Sequence, residues 1–458
     1  MKQENEKFDW SSQGHIVLGG ILLLAIILYA IVGSSQRRTD KYNAAQPKTV
    51  EYGGEVLPKE KFNGLEATRK EKNPELIGEI KKVIKENGTP ADIFAEDVPP
   101  DNNIATELDR AFRIYDENPG EIETLRAGVS YGDWKIDSAT LQDVKDILTR
   151  TDTKRLNIRK MLERSSVCFS FEFVESETGT APVTKAADYL ADYMLLEEFA
   201  VAQALQDGAV GKAAEALAYI FRIAQLAAEV RSPGTRTKAA QIRLHAVDVL
   251  QAVLLHPKLQ KSDVQFLYEM MKEQLDHWTP DSEMWVGDRA SGLKVYNEIM
   301  QYGLDKALEE DEIAELYERG IYDTVNKGLL KKLSADEVFY LQAMRTVIDE
   351  SEKPFYKRLT ALNQMEDQLR AKWGTDSEPV IAGFLLRGIT DLMEYCALDR
   401  TKCETAVSAM QVALGQPAAF KIEPLYGKEY TIKTDDGGGT VSVSYPNNPK
   451  PFTVRLTH

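Results

Sequence analysis

Cysteine and histidine are scarce in this 458-residue chain, with three of one and five of the other. Cys168, Cys396 and Cys403 are too few for a disulfide framework, and they lack the close pairs from which structural zinc sites are built. None of His15, His245, His256, His277 and His458 belongs to an HExxH pair, which excludes zincin chemistry on its motif. There is no Walker A sequence and no G-x-S-x-G elbow. Gly437-Gly438-Gly439 has no helix start after it, so it reads as a turn rather than a phosphate cradle. A basic excess is missing too. The net charge of −16 argues against nucleic acid as a partner and against a body that lies on an anionic lipid surface. No catalytic residue, cofactor or metal site is expected.

What the chain does have is one long uncharged stretch. Ile16 to Gly33 reads IVLGGILLLAIILYAIVG, with no charge and no proline. As a helix rising about 1.5 Å per residue it spans roughly 27 Å, the thickness of a thin hydrocarbon core. We expect a single-pass transmembrane helix over 16–33 behind a short tail, 1–15. The competing reading is a cleaved secretory signal, but the run is long for one and no clean A-x-A follows it. Basic residues flank both ends, Lys2 and Lys7 before it and Arg37, Arg38, Lys41 and Lys48 after it, so charge leaves the orientation nearly undecided.

Beyond the anchor some 425 residues remain. The whole chain has 43% hydrophobic and 28% charged residues, a balance that lets the body bury a sizeable core. Residues 34–72 read as a linker containing Pro47, Pro58 and Gly53-Gly54. From 73 the pattern is helical. Asn73-Pro74 starts a helix whose stripe is Leu76, Ile77, Ile80, Val83 and Ile84, and Asn87-Gly88 stops it. A second stripe runs Ile104, Leu108, Ala111, Phe112, Tyr115. Ser138 caps a helix containing Leu141, Val144 and Leu148, and a short one follows near 153–163. SVCFSFEFVE (166–175) alternates as a strand or extended loop. These make a first helical region, 73–180.

The second region, 181–414, reads as an array of α-hairpins. Helices are expected over 183–206, 210–230, up to 255, 262–277 (capped by Ser262), 281–307, 311–319, 334–350 (Ser334 with Glu337 as a capping box), 354–373, 377–395 and 400–414. Short turns between long amphipathic helices make antiparallel neighbours. Alanine and aromatic placement in LQDGAVGKAAEALAYIFRIAQLAAEVRSP is similar to a tetratricopeptide hairpin, without a regular 34-residue period. Residues 415–458 change to period 2. Tyr430 and Ile432 alternate before Asp435–Gly439, and Val441, Val443 and Tyr445 alternate after it: an antiparallel β-hairpin, with FTVRL (452–456) as a further strand. The expected fold is mainly α, with a transmembrane helix at one end and a small β element at the other.

Three residues stand out for binding. In WVGDRASGL, Asp288 and Arg289 form a charged pair beside Trp285, suited to a helix crossing or to a recognition groove. Cys396 and Cys403 admit two readings. On one unbroken helix their Cα atoms stand about 10 Å apart, too far for a disulfide; a break over Ala397–Lys402 would let them bridge. Glu197-Glu198 interrupts an apolar helix, with one of the two expected to face solvent.

Three stretches together, ALQDGAVGKAAEALAYIFRIAQLA, WVGDRASGLKVYNEI and the ending CETAVSAMQVAL through GKEYTIKTDDGGGTVSVSYP, resemble a class of uncharacterised membrane-anchored helical proteins of planctomycete-type bacteria. The ending also resembles a pseudopilin-like terminus, although the connection after Leu414 is short for one. The resemblance implies a cell-envelope location at the inner membrane, with the body outside the cytoplasm, and brings no catalytic residues. The expected function is a membrane-tethered helical scaffold that binds another protein. The alternative is a hydrolase-like envelope enzyme whose site is assembled from scattered helical residues.

Overall fold

The computed structural model describes residues 49–52, 55–58, 73–88, 93, 100–112, 129–130, 135–136, 138–170, 186–435, 439–448 and 450–456. The expected transmembrane run Ile16–Gly33 lies outside them. Among the described residues no helix is long and apolar enough to cross a membrane.

Within the stretch read as a linker, β1 (Thr49–Tyr52) pairs antiparallel with β2 (Glu55–Pro58). The Gly53-Gly54 dipeptide between short runs containing Val50, Tyr52 and Val56 is a hairpin signal that the charged surroundings hide. α1 (Pro74–Asn87) starts as expected. Asn73 Oδ1 accepts from the Glu75 and Leu76 N–H groups, Pro74 opens the first turn, and Gly88 with φ +83° ends it. α2 (Ile104–Phe112) follows, then the two-residue strands β3 (Val129–Ser130) and β4 (Lys135–Ile136). α3 (Ser138–Leu162) is one helix where two are expected, because no glycine or proline separates Leu148 from Thr153. After α3 the extended residues include Cys168, which bridges Asn103.

The helical array comprises α4 (Ala186–Gln206), α5 (Val210–Ala228), α6 (Pro233–Leu254), α7 (Lys261–Asp276) and α8 (Asp281–Tyr302). Next come the single turn α9 (Leu304–Ala307), α10 (Glu310–Glu318), α11 (Tyr322–Glu350), α12 (Phe355–Lys372), α13 (Val380–Leu385) and α14 (Ile389–Ala413). The largest interfaces join α5 to α6 and α4 to α5, so sequence neighbours pack as hairpins. Ala213, Ala214, Ala224 and Ala227 are fully buried along α5 and allow that close approach.

Four boundaries differ from expectation. The helix expected over 281–307 is divided into α8 and α9 by Gly303, whose φ of +86° breaks it. α7 begins at Lys261, and it is Asp263, not Ser262, that reaches back, accepting from Gln260 N–H at 3.0 Å. Ser334 lies inside α11, because the leucine- and lysine-rich residues before it are strong helix formers that carry the helix back to Tyr322. The break expected near Ala397–Lys402 does not form. The interruption falls instead at Gly388, with φ +74°, and α14 runs unbroken past both cysteines. Cys396 and Cys403 are therefore free, buried thiols, and of the two readings the bridge is the one overturned.

The chain ends in a three-stranded antiparallel sheet, ordered β5 (Thr431–Thr434), β6 (Thr440–Ser444), β7 (Phe452–Arg455). Ile432 lies opposite Val443, and Val441 opposite Val454. Buried Val441, Val443, Phe452 and Val454 face the helices, with α14 and α6 packed against β7. The amide of Gln251 on α6 closes the β7 edge. Its Nε2 donates to Thr453 O at 2.5 Å, and its Oε1 accepts from Thr453 N–H at 2.6 Å. This side chain supplies the two hydrogen bonds that another strand would make.

Among the described residues two large apolar clusters form the interior, beside a small one of Ile93, Val286 and Ala290. One is built from α2 to α7 and the sheet, the other from α1 and α8 to α13. α14 belongs to both. Its first half places Ile389, Met393 and Cys396 in the second cluster, and its last half places Cys403, Val407 and Met410 in the first.

Candidate functional site

The WVGDRASGL segment lies on α8 as a packing junction. Trp285 and Arg289 are 2% and 1% exposed. Arg289 does not pair with Asp288, since consecutive helical residues diverge by about 100°. Its guanidinium instead donates to Asn87 Oδ1 and lies 3.7 Å from Glu86 Oε2, both at the end of α1. The expected pair of 288 with 289 is thus replaced by separate inter-helical contacts of the two residues. Asp288 offers its backbone carbonyl to the Tyr340 hydroxyl at 3.2 Å. The structure places the three residues together on one helix, with Trp285 and Arg289 closed off from solvent.

Burial pushes the Asp288 carboxyl up from 3.8 to about 7. Its folded-state value lies above the unfolded one, so the folded chain holds an extra proton between roughly pH 7 and pH 4. Stability therefore rises as pH falls through that window. Asp288→Asn removes this charge. It is expected to be about 2 kcal/mol more stable than the parent at pH 8, with the gap closing near pH 4. Urea midpoints at pH 8, 6 and 4 check this, and coincident midpoints at pH 8 would mean a solvated carboxylate.

Glu197 and Glu198 are both fully buried, against the expectation that one faces solvent. α4 is covered on two sides. From α3, Arg155 donates to Glu197 at 3.2 Å and Arg159 Nε donates at 3.0 Å; from α6, His245 Nε2 stands 2.7 Å from Glu198 Oε1. Where the two apolar clusters meet, charge is buried as well. Asp281 accepts from Arg236 at 2.8 Å and from Arg358 at 2.9 Å. Burial alone would raise its pKa, but the two guanidiniums outweigh burial and hold it below the usual carboxylate value. Arg243 grips Asp399 through Nε and Nη2 and lies 4.4 Å from the Trp278 ring centre. Burial pushes the neighbouring Cys396 thiol up to about 12, so at neutral pH it is an unreactive thiol. Each charge here has an oppositely charged neighbour, and the cluster reads as structural.

The open site lies elsewhere. A cleft of about 310 Å³ opens between α10, the end of α12, the 373–379 turn and α13. Trp373 follows the last turn of α12 in an extended conformation, and Gly374, with φ +72°, turns the chain back. The indole is thereby pushed outward and is 57% exposed. Arg319, just past α10, stacks its guanidinium 4.8 Å from the indole centre. Its Nη2 donates to Glu378, which also accepts from Gly374 N–H at 2.8 Å. On the far rim Arg387 donates to Glu315 at 2.8 Å and lies over Phe384 at 5.2 Å. Thr390 donates to Glu366 at 2.6 Å.

The α13 wall is anchored from within. Asp336 on α11 accepts from Ile381 N–H at 3.0 Å, from Ala382 N–H at 2.8 Å and from the Tyr296 hydroxyl at 2.6 Å. Burial still pushes its carboxyl up to about 6. Gly383 leaves the cleft wall bare, since a Cβ there would meet only Leu369, at 3.9 Å.

None of these lining residues stands out in the sequence by spacing, because they come from four elements. One signal was available: AKWGTDSEP sets a lone tryptophan in a polar turn, where an aromatic ring has little apolar surface to bury against. Among the described residues no group of three or more His, Cys, Asp or Glu is placed to hold a metal ion. Comparison with protein-family models, with curated proteins and with solved structures finds no match.

Proposed function

We propose that this chain is a helical scaffold whose cleft at Trp373 docks another protein, and that residues 16–33 tether it to a cell-envelope membrane. The observation that supports the reading is the exposed indole of Trp373, held on Arg319 at the mouth of a braced cleft. Exposed aromatic and arginine side chains on a rigid wall are the residue types that carry most binding energy at protein interfaces. The wall is rigid for a stated reason, since Asp336 ties α13 to α11 and to Tyr296 on α8. The tether rests on the uncharged run alone.

Site-specific photo-crosslinking tests both parts. Trp373→p-benzoylphenylalanine, expressed as the full chain in its native host, is expected to give one discrete adduct in the washed membrane pellet. The same photo-probe at Leu156, an exposed site on α3, is expected to give none. The same adduct pattern from both positions, or no adduct at 373, would remove the docking role. Recovery of the chain in the soluble fraction with residues 1–33 intact would remove the tether.

A further inference from the structure

From the hydrogen-bond balance of this cleft we infer that its partner is an acidic segment carrying an aromatic side chain. The inference rests on the docking role given above and names the chemistry of the docked group.

The carboxylates of the cleft are already engaged. Glu378 takes Arg319 and the Gly374 N–H. Glu315 takes Arg387 at 2.8 Å and lies 3.9 Å from Arg319. Glu366 takes Thr390. The guanidiniums keep spare capacity, because each carries five N–H donors in a fixed fork. Arg387 directs Nη2 at Glu315, and Arg370 directs Nη1 at Asp367 at 3.2 Å; both side chains remain more than half exposed. The surplus is therefore in donors, which suits a carboxylate taken up in two parallel hydrogen bonds.

Trp373 supplies the second half of the recognition. One ring face carries Arg319, and the ring is otherwise largely exposed. A second aromatic ring fits against it and against Phe384, Val380 and Pro379 along the same cleft. A lysine or arginine from the partner would meet the three guanidiniums of Arg319, Arg370 and Arg387. The net charge of −16 disfavours an acidic partner at a distance. That field is screened beyond about 8 Å at physiological salt, whereas contacts inside the cleft are not. A chain with these features selects acidic partners at contact rather than by steering.

The experiment uses the full-length chain and three labelled pentapeptides followed by fluorescence anisotropy: Glu-Asp-Phe-Glu-Asp, Lys-Lys-Phe-Lys-Lys and Glu-Asp-Ala-Glu-Asp. The first is expected to bind saturably, at least tenfold more tightly than either of the others. Trp373→Ala is expected to weaken it about tenfold and Arg387→Gln about fivefold. Both positions are exposed, so thermal midpoints should stay within a degree or two of the parent, which separates lost binding from lost fold. Equal or tighter binding of the lysine peptide, no saturable binding of the acidic one, or binding indifferent to Trp373→Ala overturns the inference. If crosslinking through position 373 still captures its adduct while the acidic peptide fails, the partner chemistry is wrong and the docking role stands. If both fail, both are wrong.

Discussion

Asp281→Ala is expected to destabilise the chain by about 3–5 kcal/mol, the usual consequence of removing one partner from a buried ion pair. Asp281 sits where the two apolar clusters meet and takes one guanidinium on each carboxylate oxygen, Arg236 at 2.8 Å and Arg358 at 2.9 Å. Neither arginine can retreat to water. Arg236 is 1% exposed and also donates to Thr279 O at 2.6 Å; Arg358 is 6% exposed and donates to Ser351 O and Lys353 O at 2.8 and 2.5 Å. Alanine would leave two positive charges facing each other in a dry interior. The charge rather than the volume should dominate, and a second variant separates them. Arg236→Met, Asp281→Leu and Arg358→Met together remove the three charges of this triad while keeping bulk, and should recover most of the loss, as apolar replacement of buried ion pairs often does. Urea unfolding of both variants against the parent is the measurement. A single variant within about 1 kcal/mol of the parent would show that water reaches the junction.

That junction explains why part of the fold is legible in the sequence and part is not. Helix starts and stops with local causes read correctly. Asn73-Pro74 and Gly88 bound α1, Asp207-Gly208 separates α4 from α5, and Ser232-Pro233 opens α6. The terminal hairpin is equally local, since alternation and a glycine-rich turn specify it. The errors arose where a charged or polar stretch looked like a break. The residues before Ser334 and those between Cys396 and Cys403 mix charged with apolar side chains, but they contain good helix formers, and tertiary contacts keep α11 and α14 continuous. Asp399 is the clearest case. In the sequence it marks a possible interruption; in the fold it is 1% exposed and bound by Arg243, 156 positions away. Ion pairs at that separation leave no periodic trace. The same reason hid the Trp373 cleft, whose charged residues are paired between elements, as Arg319 is with Glu378 and Arg387 with Glu315. It also misdirected the reading of Asp288 and Arg289, which are adjacent in sequence but engage different helices.

Gly287→Ala should be the second severe lesion, and its sign is opposite to what helix propensity alone would give. Gly287 lies inside α8, where alanine is intrinsically favoured by about 1 kcal/mol. A Cβ built there would stand 1.8 Å from the carbonyl oxygen of Arg231 and 2.6 Å from its carbonyl carbon. These are backbone atoms, so no side-chain rotation relieves the overlap. The Arg231 segment is also fixed, with Arg231 Nε donating to Glu283 on α8 at 2.7 Å and Ser232 N–H to Val230 O at 2.8 Å. The connection between α5 and α6 must therefore lift away from α8, close to the Arg236–Asp281 contact in both chain segments. Overpacking of this kind costs about 1–3 kcal/mol where side chains can adjust; with backbone against backbone, about 3 kcal/mol or more is expected. Gly78→Ala is the matched control. Gly78 is also helical, on α1, and nothing lies within 4 Å of the added Cβ. That variant should gain up to about 1 kcal/mol. Urea midpoints of the two variants should thus move in opposite directions from the parent. If both rose, α8 and the Arg231 carbonyl would have to be farther apart in solution than the geometry places them.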